Sequence, residues 1–225
     1  MKPLVSILKA LPPTTVIDAA IPFSKYILLD LSMSNQELIK IKPDSAAEFE
    51  TFISNYLEKN NAEVAFGGYI EGRTLYKRST IFRNDAIPER NIHIGLDLWA
   101  KENTEVLAPI NGKIHSFKNN VGLGDYGPTI ILEHLIENEI FYTLYGHLSL
   151  ESIENLSVGK VFNRGEKIGT LGDATVNGDY APHLHFQIIK DLEAYYGDYP
   201  GVCNTNDLNF YIENCPDPNL LLKIT

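Results

Sequence analysis

Apolar positions change their rhythm near residue 62 of this 225-residue chain, and the two rhythms predict two kinds of structure. Before that point, Tyr26–Ser32 has strand character, and Ser34-Asn35-Gln36-Glu37 offers the start of a short element. Phe49, Phe52, Ile53, Tyr56 and Leu57 then recur at helical spacing. Ser45 with Glu48 forms a capping box after Lys42-Pro43-Asp44, and Asn60-Asn61 ends the run. From Glu63 onward the pattern shortens to apolar runs separated by Gly, Asn and Pro, which predicts an all-β arrangement. The expected strands are Glu63–Ile70, Thr74–Phe82, Val106–Ala108, Lys113–Phe117, Thr129–Glu133, Ile140–Tyr145, Lys167–Leu171 and Leu184–Ile189. Asn111-Gly112 reads as a tight turn between two of them, and Glu137-Asn138-Glu139 joins two more. No helical pattern of useful length falls between Glu63 and Leu192. The fold class that follows is mainly β, an antiparallel sheet domain over 63–225 with its core at 90–190, preceded by a small α/β extension over 1–62.

The polar positions of this β region are where chemistry could reside. Between Gly178 and Lys190, after Pro182, His183, His185 and Gln187 alternate with Leu184, Phe186 and Ile188. Side chains two apart stand roughly 6–7 Å from each other along one strand face, so one imidazole could hold a metal while the other reaches a molecule bound to it. A pair of half-exposed surface histidines is the ordinary alternative. His93 and Asp97 would share a strand face too, but about 13 Å apart if the strand were straight. Both can reach one metal only if the backbone bends between them, and Gly95 is the residue that would permit it. His147 follows a strand and a glycine, a place where a lone histidine is usually structural. His115 and His134 read as surface or cross-strand residues. Tyr145 reads equally as a substrate contact or as a core residue.

Composition narrows the partners. With 44% hydrophobic and 21% charged residues the chain is globular in character, and 19 Lys and Arg against 29 Asp and Glu give a formal charge of −10. That balance argues against nucleic acid or an anionic membrane surface as the main partner. The apolar run Pro3–Leu11 is broken by Lys9 and followed by Pro12-Pro13, so it makes no signal-peptide core. Cys203 and Cys215 imply no disulfide framework and read as reduced thiols. A cytoplasmic location is the resulting expectation; monomer and homodimer stay equally open.

Taken in order, His93-x-Gly-x-Asp97, Tyr-Gly-His147-Leu-Ser and His183-Leu-His185 resemble the lysostaphin-type, LytM-like zinc metallopeptidases. Ala108-Pro109 with Asn111-Gly112, and Val158-Gly159-Lys160-Val161 through Arg164-Gly165-Glu166-Lys167-Ile168-Gly169 to Gly172, are similar to that family's framework motifs. The resemblance covers about Ile92–Lys190. It implies that His93, Asp97 and His185 bind Zn2+ with a fourth position open to water, and that His147 and His183 are the catalytic pair beside it. It also implies a peptidoglycan-derived peptide as substrate: a cross-link, a stem or a muropeptide. Typical members carry a signal peptide or membrane anchor and many basic residues, which this chain lacks; its tail, Gly197–Leu221, is similar to a soluble branch of the family. Two rivals stand beside the peptidase reading. One is an inactive zinc-containing module that binds peptides or muropeptides. The other is a carrier domain of the lipoyl or phosphotransfer sort, which needs a single exposed Lys or His rather than an acid and several histidines.

Overall fold

A computed structural model describes residues 3–36, 38, 45–73 and 89–225. The expected strand Thr74–Phe82 lies outside the described residues, as does Glu37 of the short element expected after Ser34. The backbone of the molecule is one eight-stranded sheet. Its strands, taken in chain order, are β1 (Tyr26–Leu28), β2 (Val64–Gly67), β5 (Leu96–Trp99), β7 (Gly112–Asn120), β8 (Gly127–Ile136), β9 (Glu139–Gly146), β10 (Val161–Phe162) and β12 (His183–Ile189). In space they run β1-β2-β5-β12-β9-β8-β7-β10. Every neighbouring pair is antiparallel except β1 and β2. Two smaller sheets make up the rest of the β structure among the described residues. One pairs β6 (Glu105–Leu107) with β11 (Lys167–Thr170); the other sets β4 (Ile92–His93) between β3 (Glu71–Gly72) and β13 (Val202–Cys203).

Alternation explains the central strand. Leu184, Phe186 and Ile188 of β12 lie in the main core with Leu98, Ile130 and Tyr145, and His183, His185 and Gln187 take the other face. That second face is buried as well, so its polar atoms need partners. The Glu137-Asn138 turn is a two-residue connection with both residues at positive φ (50° and 69°), the twist that antiparallel strands prefer. Asn111-Gly112 behaves differently from the expected hairpin turn. The strands either side of it belong to different sheets, β6 pairing with β11 and β7 with β8 and β10. Gly112 is required for another reason: a Cβ there would come within 2.6 Å of the His134 ring. A short 3₁₀ turn, Leu150–Ile153, interrupts the region where no helix was expected.

The N-terminal residues are built into this frame. Helix α1 (Leu4–Ala10) buries Leu4, Ile7 and Leu8, and Leu4 and Leu8 share the main core with Leu221 and Leu222 of the short C-terminal helix Asn219–Leu222. Helix α2 (Ala46–Lys59) starts where Ser45 Oγ accepts the Glu48 N–H at 3.2 Å and ends at Asn60. Its apolar stripe of Phe49, Phe52 and Ile53 packs on Leu29, Leu31, Ala65, Trp99 and Ala181. β1 and β2, on opposite sides of the expected boundary at 62/63, are hydrogen-bonded neighbours.

Candidate metal and catalytic centre

Register brings the site together. β12 pairs with β5 so that His185 stands directly opposite Asp97, and with β9 so that His185 stands opposite Gly146, one residue before His147. His93 arrives from another sheet. The chain leaves β4 after His93, turns through Ile94-Gly95 and enters β5, which removes the 13 Å separation of a straight strand. Gly95 serves this turn by closeness rather than by unusual φ: a Cβ would lie 2.5 Å from the His185 ring. His93 Nε2 is then 3.2 Å from Asp97 Oδ1 and 2.8 Å from His185 Nδ1, and His185 Nδ1 is 3.2 Å from the same carboxylate oxygen.

Hydrogen bonding on the outer side of each ring decides what these atoms are. His93 Nδ1–H donates to the Gly68 carbonyl at 2.8 Å, and His185 Nε2–H donates to Gln187 Oε1 at 2.9 Å. In neutral imidazoles this leaves the lone pairs of His93 Nε2 and His185 Nδ1 aimed at each other and at a carboxylate oxygen. Burial, aided by nearby Arg73, lowers the His93 pKa to about 4, so a proton on that ring is not what relieves the repulsion. Burial alone would raise the Asp97 carboxyl, but His93 and Arg73 hold it well below its ordinary value. Arg73 Nη1 reaches Asp97 Oδ2 at 2.5 Å while its Nε meets Glu71 at 2.6 Å. Three buried electron-pair donors converging on one point make a set that could hold a cation. Their 2.8–3.2 Å separations approach the roughly 3.3 Å edge expected of a tetrahedron with bonds of about 2.05 Å, the length zinc makes to nitrogen. Among the described residues this trio is the cluster able to hold a metal.

Two further imidazoles border it. The His147 ring lies 4.2 Å from that of His183 and 6.5 Å from that of His185. His147 Nδ1–H donates to the Asn177 carbonyl and His183 Nδ1–H to the Ala181 carbonyl, both at 2.8 Å, so each keeps an Nε2 lone pair for the site. Burial lowers both pKa values, that of His147 well below the ordinary range with help from His183 and His185. His147 sits at φ 64°, a left-handed conformation that few side chains adopt. Its partner is held flat, for Trp99 stacks on His183 at 5.7 Å and 16°.

These groups line a cleft of about 210 Å³, and its walls draw on distant parts of the chain: Leu31 and Phe49 on one side, Tyr195 and Asp198–Val202 on another. Tyr126 lies between His147 and His185, its hydroxyl 3.4 Å from His185 Nε2. Sequence reasoning overlooked Tyr126, Tyr180 and Arg73, since no spacing links them to the histidine motifs. Tyr145 is not in the cleft. It is fully buried beside Phe186, with its hydroxyl 2.8 Å from Thr143 Oγ1. His134 is also internal rather than on the surface, bonded to Asn111 O and Thr143 Oγ1, whereas His115 is half-buried against Tyr142. Cys203 and Cys215 are buried free thiols.

Residues 91–196 match the model of Peptidase family M23. Similar solved structures include the catalytic domain of the antimicrobial peptidase lysostaphin from Staphylococcus simulans, at 25% identity over 54% of this chain and 80% of that one, with TM-score 0.37. The catalytic domain of the prophage-encoded M23 protein EnpA from Enterococcus faecalis is 20% identical over 48% of this chain and 75% of that one, with TM-score 0.36. An M23 protein from Pseudomonas aeruginosa is 18% identical over 58% of this chain, which spans 44% of its length, with TM-score 0.38. No curated protein matches the chain.

Proposed function

Because residues 91–196 match the model of Peptidase family M23, we propose that the chain is a zinc-dependent metalloendopeptidase acting on peptide bonds of peptidoglycan cross-links, stems or muropeptides. The observation that carries this reading is the meeting of three convergent lone-pair donors, His93, Asp97 and His185, with two neutral imidazoles whose Nε2 atoms are free. Zinc held by the three would supply Lewis acidity toward a peptide carbonyl and lower the pKa of water. The chain's own residues then handle the protons. One Nε2 of the His147–His183 pair accepts a proton from the attacking water, and the imidazolium so formed returns it to the departing amine as the C–N bond breaks. At 4.2 Å between rings, a proton on one imidazole discourages a second on the other, so the pair carries one proton through the cycle. Tyr126 and Tyr180 border the same rings and are positioned to contact the peptide.

An acidic chain with net charge −10 gains no hold on an anionic wall polymer, which favours small soluble muropeptides as substrates. Incubating the zinc-loaded protein with purified muropeptides, and reading the products by mass spectrometry, tests the proposal. Products heavier by one water, in total, than the parent peptide are expected, and no cleavage of any cell-wall peptide would defeat it.

A further inference from the structure

Gln187 has no part in the proton transfers just described, yet it is completely buried on the same strand face as His183 and His185. Its amide is bonded on both ends. Nε2 donates to the Pro200 carbonyl and to Cys215 Sγ, each at 3.2 Å, while Oε1 accepts from His185 Nε2 at 2.9 Å. The Pro200 carbonyl can only accept, so turning the amide over would set two carbonyl oxygens against each other and leave a buried donor facing His185. The amide therefore has one orientation. The closer partner of His185 Nε2 is this acceptor, at 2.9 Å against 3.4 Å for the Tyr126 hydroxyl, which can turn its own proton away; Nε2 therefore carries the ring's proton, and the Nδ1 lone pair is delivered to His93 and Asp97.

Both anchors of this amide lie in the tail beyond residue 196. Gly201 O accepts the Ile94 N–H, and Val202 pairs with His93 across β13 and β4, so the stretch that fixes Gln187 also fixes the strand of a second ligand. Cys215 is held in turn by its own N–H to Tyr211 O and by the Tyr69 hydroxyl on its carbonyl. We infer that Gln187 is a positioning residue for His185, setting its tautomer and ring angle for metal, and that the C-terminal tail keeps it in place through Pro200 and Cys215. This rests on the metal reading given above.

Metal affinity tests it independently of turnover. Wild-type protein and Gln187→Met and Gln187→Glu variants are titrated with zinc against a chromogenic chelator, and the visible absorption of their cobalt(II) forms is recorded. Met keeps the length of the side chain without the acceptor, and should weaken zinc binding 10–100-fold and alter the cobalt bands. Glu keeps the acceptor for His185 but loses both donations that anchor the amide, so its zinc affinity should fall between that of Gln187→Met and wild type. Wild-type affinity and bands in Gln187→Met, or equal weakness in Gln187→Glu, would overturn the inference. Should Gln187→Met fail to fold, Cys215→Ala carries the same test, since loss of the sulfur frees one amide hydrogen; an unchanged affinity and spectrum would overturn it. Failure of wild type itself to bind zinc would instead remove the metal reading.

Discussion

His183 and His185 stand on the same face of one strand, but the chain gives them different work. His185 has Asp97 across the sheet and an outer hydrogen bond to Gln187, whereas His183 is stacked under Trp99 and faces His147. His185→Ala should therefore lose zinc, while His183→Ala and His147→Ala should each keep about one zinc per molecule and lose roughly 10²–10⁴-fold in turnover. Elemental analysis beside a peptide-cleavage assay separates these outcomes, and equal zinc loss in all three would show the division to be wrong. Gly95 gives a second residue-scale prediction. A methyl there would press on the His185 ring from 2.5 Å, so Gly95→Ala should lower zinc affinity with little change in circular dichroism. His134 gives a third, away from the metal. Burial lowers its pKa from 6.5 to about 4, so the unfolded chain takes up its proton at higher pH than the folded one. Its contribution is whole above pH 6.5 and is lost as pH falls toward 4, on the order of 3 kcal/mol. Denaturant unfolding across that range should show a flatter pH dependence for His134→Gln than for wild type.

At the scale of elements, helix α2 shows what a legible amphipathic stripe leaves unsaid. The spacing of Phe49, Phe52 and Ile53 requires a cover, and the cover is Trp99 and Ala181, the ground on which His183 stands. Phe52→Ala should destabilise the protein by about 3–5 kcal/mol through the cavity it leaves. A midpoint shift in chemical denaturation measures it; a change within about 0.5 kcal/mol, as at an ordinary surface site, would mean that the helix is not part of the folded unit. The turns teach a similar lesson. Glu137-Asn138 works as a hairpin because both residues take positive φ, while Asn111-Gly112, the more familiar signal, joins strands of separate sheets.

For the molecule as a whole, charge bears on substrate and place. With −10 formal charges and two cysteines in the sequence, we expect cleavage of free muropeptides to exceed that of intact sacculi, and recovery in the cytoplasmic fraction of the host. Recovery from the periplasm or medium with Cys203 and Cys215 oxidised would reverse both expectations. Periodicity and residue type, local properties that the chain carries openly, were enough for the mainly β class and the α2 stripe, while His93, Asp97, His147, His183 and His185 were singled out by the resemblance of their motifs to a known family. Long-range packing set Asp97 opposite His185, closed Arg73, Tyr126 and the tail around them, and put His134 and Tyr145 inside the molecule. Those facts depend on strand register and on segments folded back from far along the chain; a one-residue slip would turn every side chain of β12 to the other face, and no spacing within the chain reports which neighbour a strand will find.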